Sequence, residues 1–106
     1  MNLDRFVTFE RLTEGEVNGW NETEETWATV SMEWANKRDV SDAEKLSAGQ
    51  EYSARIARFT VRHNPFTASL TGNDRLQYEG VWNIRGVKEG EGRNQWIEVT
   101  AEKRSD

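Results

Sequence analysis

Between Asp74 and Val87 the chain reads DRLQYEGVWNIRGV, two runs of alternating apolar and polar residues on either side of a Glu79-Gly80 pair. Alternation with a period of two is the pattern of a half-buried strand, and a glycine supplies the positive φ that a tight reversal needs. The segment therefore predicts a β-hairpin with Leu76, Tyr78, Trp82 and Ile84 directed inward. It commits the chain to a mainly β fold.

The same period recurs along the sequence. Phe6–Arg11 alternates, with Val7 and Phe9 on one face and Phe6, Thr8 and Glu10 on the other, and reads as the first strand. Apolar content nearly vanishes from Thr13 to Glu25, where Gly15, Asn18-Gly19 and a run of Glu and Thr predict a mobile loop or the tip of a long hairpin. Alternation resumes at Trp27, and Val30, Met32 and Trp34 fall on one face of a second strand, which assigns Trp34 to the core. Ala54–His63 gives a third strand with Ala57, Phe59 and Val61 inside and Arg58, Thr60 and Arg62 outside, ended by Asn64-Pro65. After the hairpin comes a glycine-rich turn, KEGEGRN, and a last strand over Gln95–Ala101. In the segment 39–52, Ser41 followed by Glu44 has the spacing of a capping box, and Ala43 and Leu46 form a thin apolar stripe before Gly49, so one short inserted helix is expected.

About six strands and one helix in 106 residues predict a single domain over 1–106, closed as a small antiparallel β-barrel or a two-layer sandwich, since an open sheet would expose pairing edges. The apolar fraction is low, 35%, but five Trp, four Phe and two Tyr can each bury roughly 150–250 Å². The expected core is small and aromatic: Val7, Phe9, Val30, Met32, Trp34, Phe59, Val61 and Trp82.

The residue inventory is unfavourable to catalysis. With no cysteine there is no thiolate nucleophile, no thiolate metal site and no disulfide framework. The single imidazole, His63, stands at a strand end beside Asn64-Pro65, which leaves no partner pattern for a triad. Glu22, Glu24 and Glu25 lack calcium-loop spacing, and the glycines of GEGR lead into a strand rather than a helix, which is a turn and not a phosphate cradle. No catalytic residue, metal or cofactor is expected. The N-terminus lacks the basic and apolar regions of a signal peptide, and no run approaches the roughly 18 apolar residues of a membrane span. The chain is therefore expected to stay in the cytoplasm where it is made, with no membrane partner.

A formal net charge of −5 opposes non-specific nucleic-acid binding, which depends on Lys and Arg neutralising phosphates. The charges are unevenly placed, however: Glu10 to Glu25 holds six acidic residues and one Arg, and Arg55 to Arg62 holds three Arg and no acid. The acidic and basic segments read either as two solvated faces or as a dipolar surface matching a charged partner or a neighbouring copy. Arg55, Arg58 and Arg62 with nearby aromatics could also form the oligonucleotide face of a small barrel, the alternative reading of function; against it stands their pairing with the many carboxylates of an exposed sheet face. Trp20 is an isolated aromatic in an acidic loop, to be buried against its own sheet or inserted into a partner.

The succession LDRFVTFER, ETWATVSMEWA, RFTVRHN, DRLQYEGVWNIRGV and WIEVTAEK, from Leu3 to about Lys103, resembles the phage head-tail joining family, the small head closure or stopper proteins that connect a filled capsid to its tail. Phe6 stands where many relatives have Arg, and Glu79-Gly80 where many have Asp-Gly. The resemblance implies a β-barrel-like subunit with one inserted helix, assembled as a ring around the axial DNA channel of a phage or phage-like particle such as a gene transfer agent. Its partners would be other copies of itself, an adaptor or portal ring on one side and tail proteins on the other, with DNA passing through the lumen without sequence-specific binding. It would sit in the virion neck after assembly in the bacterial cytoplasm. The contact elements expected on this reading are Thr13–Glu25 and Asp39–Tyr52, with Trp20, Glu22, Glu24, Glu25, Asp42, Glu44 and Lys45, together with Arg55, Arg58 and Arg62 on the third strand.

Overall fold

A computed structural model describes residues 2–17, 23–40, 54–90, 92 and 95–104. Six strands follow one another: β1 (Arg5–Val17), β2 (Thr23–Asp39), β3 (Ala54–Arg62), β4 (Asp74–Gln77), β5 (Val81–Glu89) and β6 (Trp96–Arg104). All neighbours are antiparallel, in the order β1-β2-β3-β6-β5-β4, and β4 pairs back onto β1 through Thr8↔Gln77 to Arg11↔Asp74. The fold is thus a closed barrel, which removes the sandwich from the two expected closures. Among the described residues the only helical piece is a 3-10 turn, Thr67–Ser69. Of the helix expected over 39–52, Asp39 is the last residue of β2, and Ser41–Tyr52, with Asp42, Glu44 and Lys45, lies outside the described residues.

The predicted hairpin is β4–β5. Gln77 pairs with Val81 across a three-residue turn in which Glu79 has φ 50° and Gly80 φ 119°. Leu76, Trp82 and Ile84 are buried, and Tyr78 packs partly buried against them. The Trp82 indole is fixed at both ends: its Nε1 donates to the Tyr78 carbonyl at 2.9 Å, and its ring meets Phe59 edge-on at 5.4 Å.

Strands β3 and β4 lie on opposite sides of the ring of six, so the segment joining them crosses one mouth of the barrel. Side chains replace the missing ladder there. Asn64 Oδ1 accepts from the backbone N–H of Phe66 (2.9 Å) and of Thr67 (2.8 Å), and the buried Thr67 hydroxyl donates to the Arg62 carbonyl at 2.8 Å. Leu70 then drops into the core. Asp74, buried at the start of β4, accepts from Arg11 Nε (3.1 Å) and Nη2 (3.2 Å) and from the Thr71 N–H (3.0 Å). Arg11 also reaches the Ser69 carbonyl, at 3.1 Å, so that β1, the connector and β4 are held by one guanidinium.

The core contains Val7, Phe9, Phe59, Val61 and Trp82, joined by Ala35, Ala57, Leu70, Leu76, Ile84, Ile97, Val99 and Ala101. Two expected members are not in it: Met32 is 58% exposed and Trp34 55%. The period along β2 was read correctly and its phase was not. Phe6 pairs with Trp34 and Thr8 with Met32, while Ala35, Lys37 and Asp39 face Val61, Phe59 and Ala57. The inward phase of β2 therefore runs through Ser31, Glu33 and Ala35, where Glu33 meets a polar neighbour: Asn64 Nδ2 of the connector donates to its Oε1 at 3.2 Å. A register shift between Phe9 and Glu10 leaves Val30 as the extra residue of β2, and it alone of the expected three packs, partly buried, against the core.

The phase assignment separates two aromatic truncations. Phe59→Ala should reduce the free energy of unfolding by about 3–5 kcal/mol, and Trp34→Ala by no more than about 1.5 kcal/mol, the order of one surface aromatic pair. Equilibrium urea unfolding distinguishes them, and equal losses would contradict the outward placement of Trp34.

Candidate functional site

The strand sequences alternate, so every wall of the barrel presents a second, outward set of side chains, and chemistry available to a partner resides there. Outside β1 and β2 is an apolar cluster. Phe6 (47% exposed) and Trp34 stack with ring centroids 5.1 Å apart at 59°, and Met32 adjoins them one step along the strand. Three large apolar side chains grouped on the outside of a small protein form a contact patch rather than the scattered exposure normal for a surface.

Further along the same wall, toward the connector, the surface becomes polar. Arg75 Nε donates to Glu10 Oε1 at 2.7 Å, Gln77 Nε2 donates to the same oxygen at 3.2 Å, and the Arg75 guanidinium lies 4.0 Å over the Trp27 ring. One arginine thus satisfies a carboxylate with its edge and an indole with its face. Beyond Arg11 and Trp27, β1 and β2 continue as a two-stranded ribbon through Thr13↔Thr26 and Glu14↔Glu25 to Val17↔Thr23. Of the acidic loop expected over 13–25, residues 13–17 and 23–25 are strand in this ribbon, and residues 18–22, with Trp20 and Glu22, lie outside the described residues.

The outer wall of β3, β6 and β5 is basic in character. Arg58, Thr60 and Arg62 share the outward phase of β3, opposite Thr100, Glu98 and Trp96. Arg58 lies 3.7 Å from Glu98, Lys88 lies 3.4 Å from the same carboxylate, and Arg62 sits over Trp96 at 5.4 Å. A shallow hollow of about 360 Å³ lies here, lined by Arg38, Arg58, Trp96 and Glu98 among others. Arg85 and Glu102 form another pair on β5 and β6. The three arginines expected together are divided: Arg55 has the opposite phase from Arg58 and Arg62 and pairs in register with Lys103 at the barrel mouth. At that mouth Lys37 Nζ is 5.6 Å and Lys103 Nζ 5.9 Å from the Trp82 ring centre, and Lys37 pairs with Asp39 at 2.7 Å.

Two arginines titrate above the ordinary arginine value, Arg5 through its hydrogen bond to the Tyr78 hydroxyl and Arg11 through its hydrogen bond to Asp74. A raised arginine keeps its charge at every pH a protein meets, so the Arg11 clamp does not weaken as pH rises through the physiological range. Among the described residues no group of three or more His, Cys, Asp or Glu could hold a metal ion, and no helix is long and apolar enough to cross a membrane.

The phage head completion protein model matches residues 1–104. The chain belongs to the phage head completion protein family. Such a protein is a structural part of the particle, and the exposed walls, rather than a pocket, are where its work is to be sought. No curated protein sequence matches the chain. Among solved structures it is similar to protein SF1141 of Shigella flexneri 2a, with a TM-score of 0.67, 21% identity and coverage of 97% of this chain and 96% of that one. It is also similar to a chain from the virion of a native gene transfer agent particle, with a TM-score of 0.68, 17% identity and coverage of 95% and 94%. At these identities the two neighbours establish the fold.

Sequence reading missed the Arg11–Asp74 clamp and the Glu10–Arg75–Trp27 stack. Their members are 63 to 65 positions apart and belong together only once β4 closes against β1. Asp74→Ala should reduce unfolding free energy by about 2–3 kcal/mol, because it strands the Arg11 guanidinium and the Thr71 N–H. A thermal melt unchanged by that substitution would show the clamp to be dispensable.

Proposed function

We propose that this protein is a head completion subunit of a tailed phage or phage-like particle, a connector that forms a ring between the portal or adaptor and the tail around the DNA channel. The observation that carries the reading is the family match over residues 1–104. The barrel's outward apolar cluster supports it, since Phe6, Met32 and Trp34 offer a partner contact area that the free subunit leaves in water. In this role the protein has no catalytic step to perform. It binds copies of itself and the components on either side, and its net charge of −5 keeps a lumen from gripping the phosphate backbone, so that DNA passes without sequence-specific contact.

The contact elements on this reading are the segment 13–25, with Trp20, Glu22, Glu24 and Glu25, and the segment 39–52, with Asp42, Glu44 and Lys45. Loops between strands can order on assembly, the entropy loss being offset when the contacts form. Assembly takes place in the host cytoplasm and the finished location is the particle neck.

Cryo-electron microscopy of purified particles tests the reading: a ring of small barrels fitting this chain is expected at the neck, and intact particles in which the protein is undetectable by mass spectrometry would overturn it. Trp20→Ala and Trp34→Ala should each give folded protein with several-fold lower incorporation into particles. Unchanged incorporation and transfer activity for both would remove these aromatics from the contact set.

A further inference from the structure

The segment from Asn64 to Gln77, the connector together with β4, satisfies many of its hydrogen bonds internally. Asn64 Oδ1 accepts from the Phe66 and Thr67 N–H groups, and the Ala68 N–H donates back to the Asn64 carbonyl at 2.9 Å. The Ser69 and Leu70 N–H groups donate to the Phe66 and Thr67 carbonyls. Thr71 and Asp74 bond each other twice: the Thr71 N–H donates to the Asp74 carboxylate at 3.0 Å, and the Asp74 N–H donates to the Thr71 carbonyl at 3.1 Å. All of these bonds lie within the segment, so none is broken if it moves as one piece.

Its attachment to the rest of the barrel is short and mostly polar. β4 pairs with β1 only over Thr8–Arg11 and with β5 only over Val81–Asn83, the least ladder that any strand of the barrel has. The side-chain bonds that cross to β1 end on two adjacent residues. Arg11 donates to the Asp74 carboxylate and to the Ser69 carbonyl, and Glu10 accepts from Arg75 Nε and Gln77 Nε2. The remaining ties, Thr67 to the Arg62 carbonyl and Asn64 to Glu33, stand at the end where the chain leaves β3 and can act as a hinge. Only two large apolar side chains of the segment, Leu70 and Leu76, enter the core. Polar bonds exchange for water at small net cost, and the Arg11 side chain is already 43% exposed to it, so the hold on this segment is the weakest in the barrel.

We propose that Asn64–Gln77 is a preformed strap, latched to β1 by Glu10 and Arg11, that releases as a unit while β1, β2, β3, β6 and β5 stay paired. Release leaves the Thr8–Arg11 edge of β1 and the Val81–Asn83 edge of β5 unpaired on the two sides of a slot one strand wide. The slot opens onto Phe9, Trp82 and Ile84, and relatching closes the barrel again. The device belongs to the fold and does not depend on the connector reading.

Native-state hydrogen exchange of the wild-type chain, followed by mass spectrometry in urea below the unfolding transition, provides the test. Peptides covering 64–77 should exchange together, ahead of those from β3 and β6 and with a smaller urea dependence, because opening exposes only part of the surface that unfolding exposes. Val99→Ala weakens the five-strand sheet whether the strap is on or off. It should speed exchange of β3 and β6 by about tenfold and leave the strap at its wild-type rate. Because the chain has no cysteine and Thr8 stands opposite Gln77, Thr8→Cys with Gln77→Cys gives a lock. Its disulfide should slow the strap to the rate of β3 and β6, and reduction should restore the difference.

A strap that exchanges at the same rate and with the same urea dependence as β3 and β6 overturns the inference. So does Val99→Ala speeding both regions equally, and so does a disulfide that forms without slowing the strap. Fast exchange confined to the connector, with β4 as slow as β6, overturns it as well, since the connector would then move without its strand.

Discussion

The closure of β1 against β4 is the constraint on which everything else in this fold depends. β1 is the strand that closes the ring, paired with β2 along nearly its whole length and with β4 over only four residues. Without its four-residue pairing to β4 there would be two three-stranded sheets joined only through β3 and β6. With it, the register of every strand is fixed from both sides, and inward and outward positions cannot exchange. Arg11 explains why so short a ladder suffices: its guanidinium ties the β1 end of that ladder to a buried carboxylate on β4 and to the connector crossing the mouth. Charge-assisted bonds of this geometry are about twice as strong as neutral ones.

The consequences of closure appear most clearly where reading the sequence succeeded and failed. The DRLQYEGVWNIRGV hairpin was legible because its information is local; a period of two, a turn glycine and flanking aromatics are all within fourteen residues. Val7, Phe9, Phe59 and Val61 were legible because the residues between them, Thr8 on β1 and Arg58, Thr60 and Arg62 on β3, are polar and leave one apolar phase through the middle of each strand. β2 was different. Both of its phases are mixed, with Met32 and Trp34 on one and Ser31, Glu33 and Ala35 on the other, so hydrophobicity alone favoured the wrong one. What decides the phase is register with β3, where Ala35 meets Val61, and the polar partner that Asn64 offers Glu33. Both are contacts between residues more than twenty-five positions apart. One local cue pointed outward: Phe6, placed on the outer face of β1 by its own alternation, needed an apolar neighbour across the ladder, and Trp34 is that neighbour.

The outward aromatics also change how the composition should be understood. An apolar fraction of 35% is small for a core, and part of it is spent on the outside. Phe6, Met32 and Trp34 lie outside the core, so they add exposed apolar surface rather than core volume. For a protein that acts alone this would be a defect. For a structural component of a particle, as the phage head completion family implies, an apolar patch on the outside is where the proposed contact with a neighbour would lie.

The division of charge fits the same logic and limits it. Isolated surface ion pairs contribute only about 0–1 kcal/mol, so the Arg58–Glu98 and Lys88–Glu98 contacts do little for the fold. Charges on an outer wall serve instead to select and orient what approaches, since like-charged walls repel and opposite ones attract over about a Debye length of 10 Å. Aromatic area then gives the contact its lifetime once orientation is set. The barrel separates its two sets of side chains by strand phase, inward residues closing the core and outward residues facing its surroundings, and the phase boundary runs between adjacent residues: Ala35 is fully buried and Trp34 more than half exposed. A one-residue slip of β2 would exchange the two, emptying the core of Ala35 and turning Trp34 inward against Val61. The Arg11 clamp and the register it holds are therefore as necessary to the outward aromatic cluster as to the stability of the barrel.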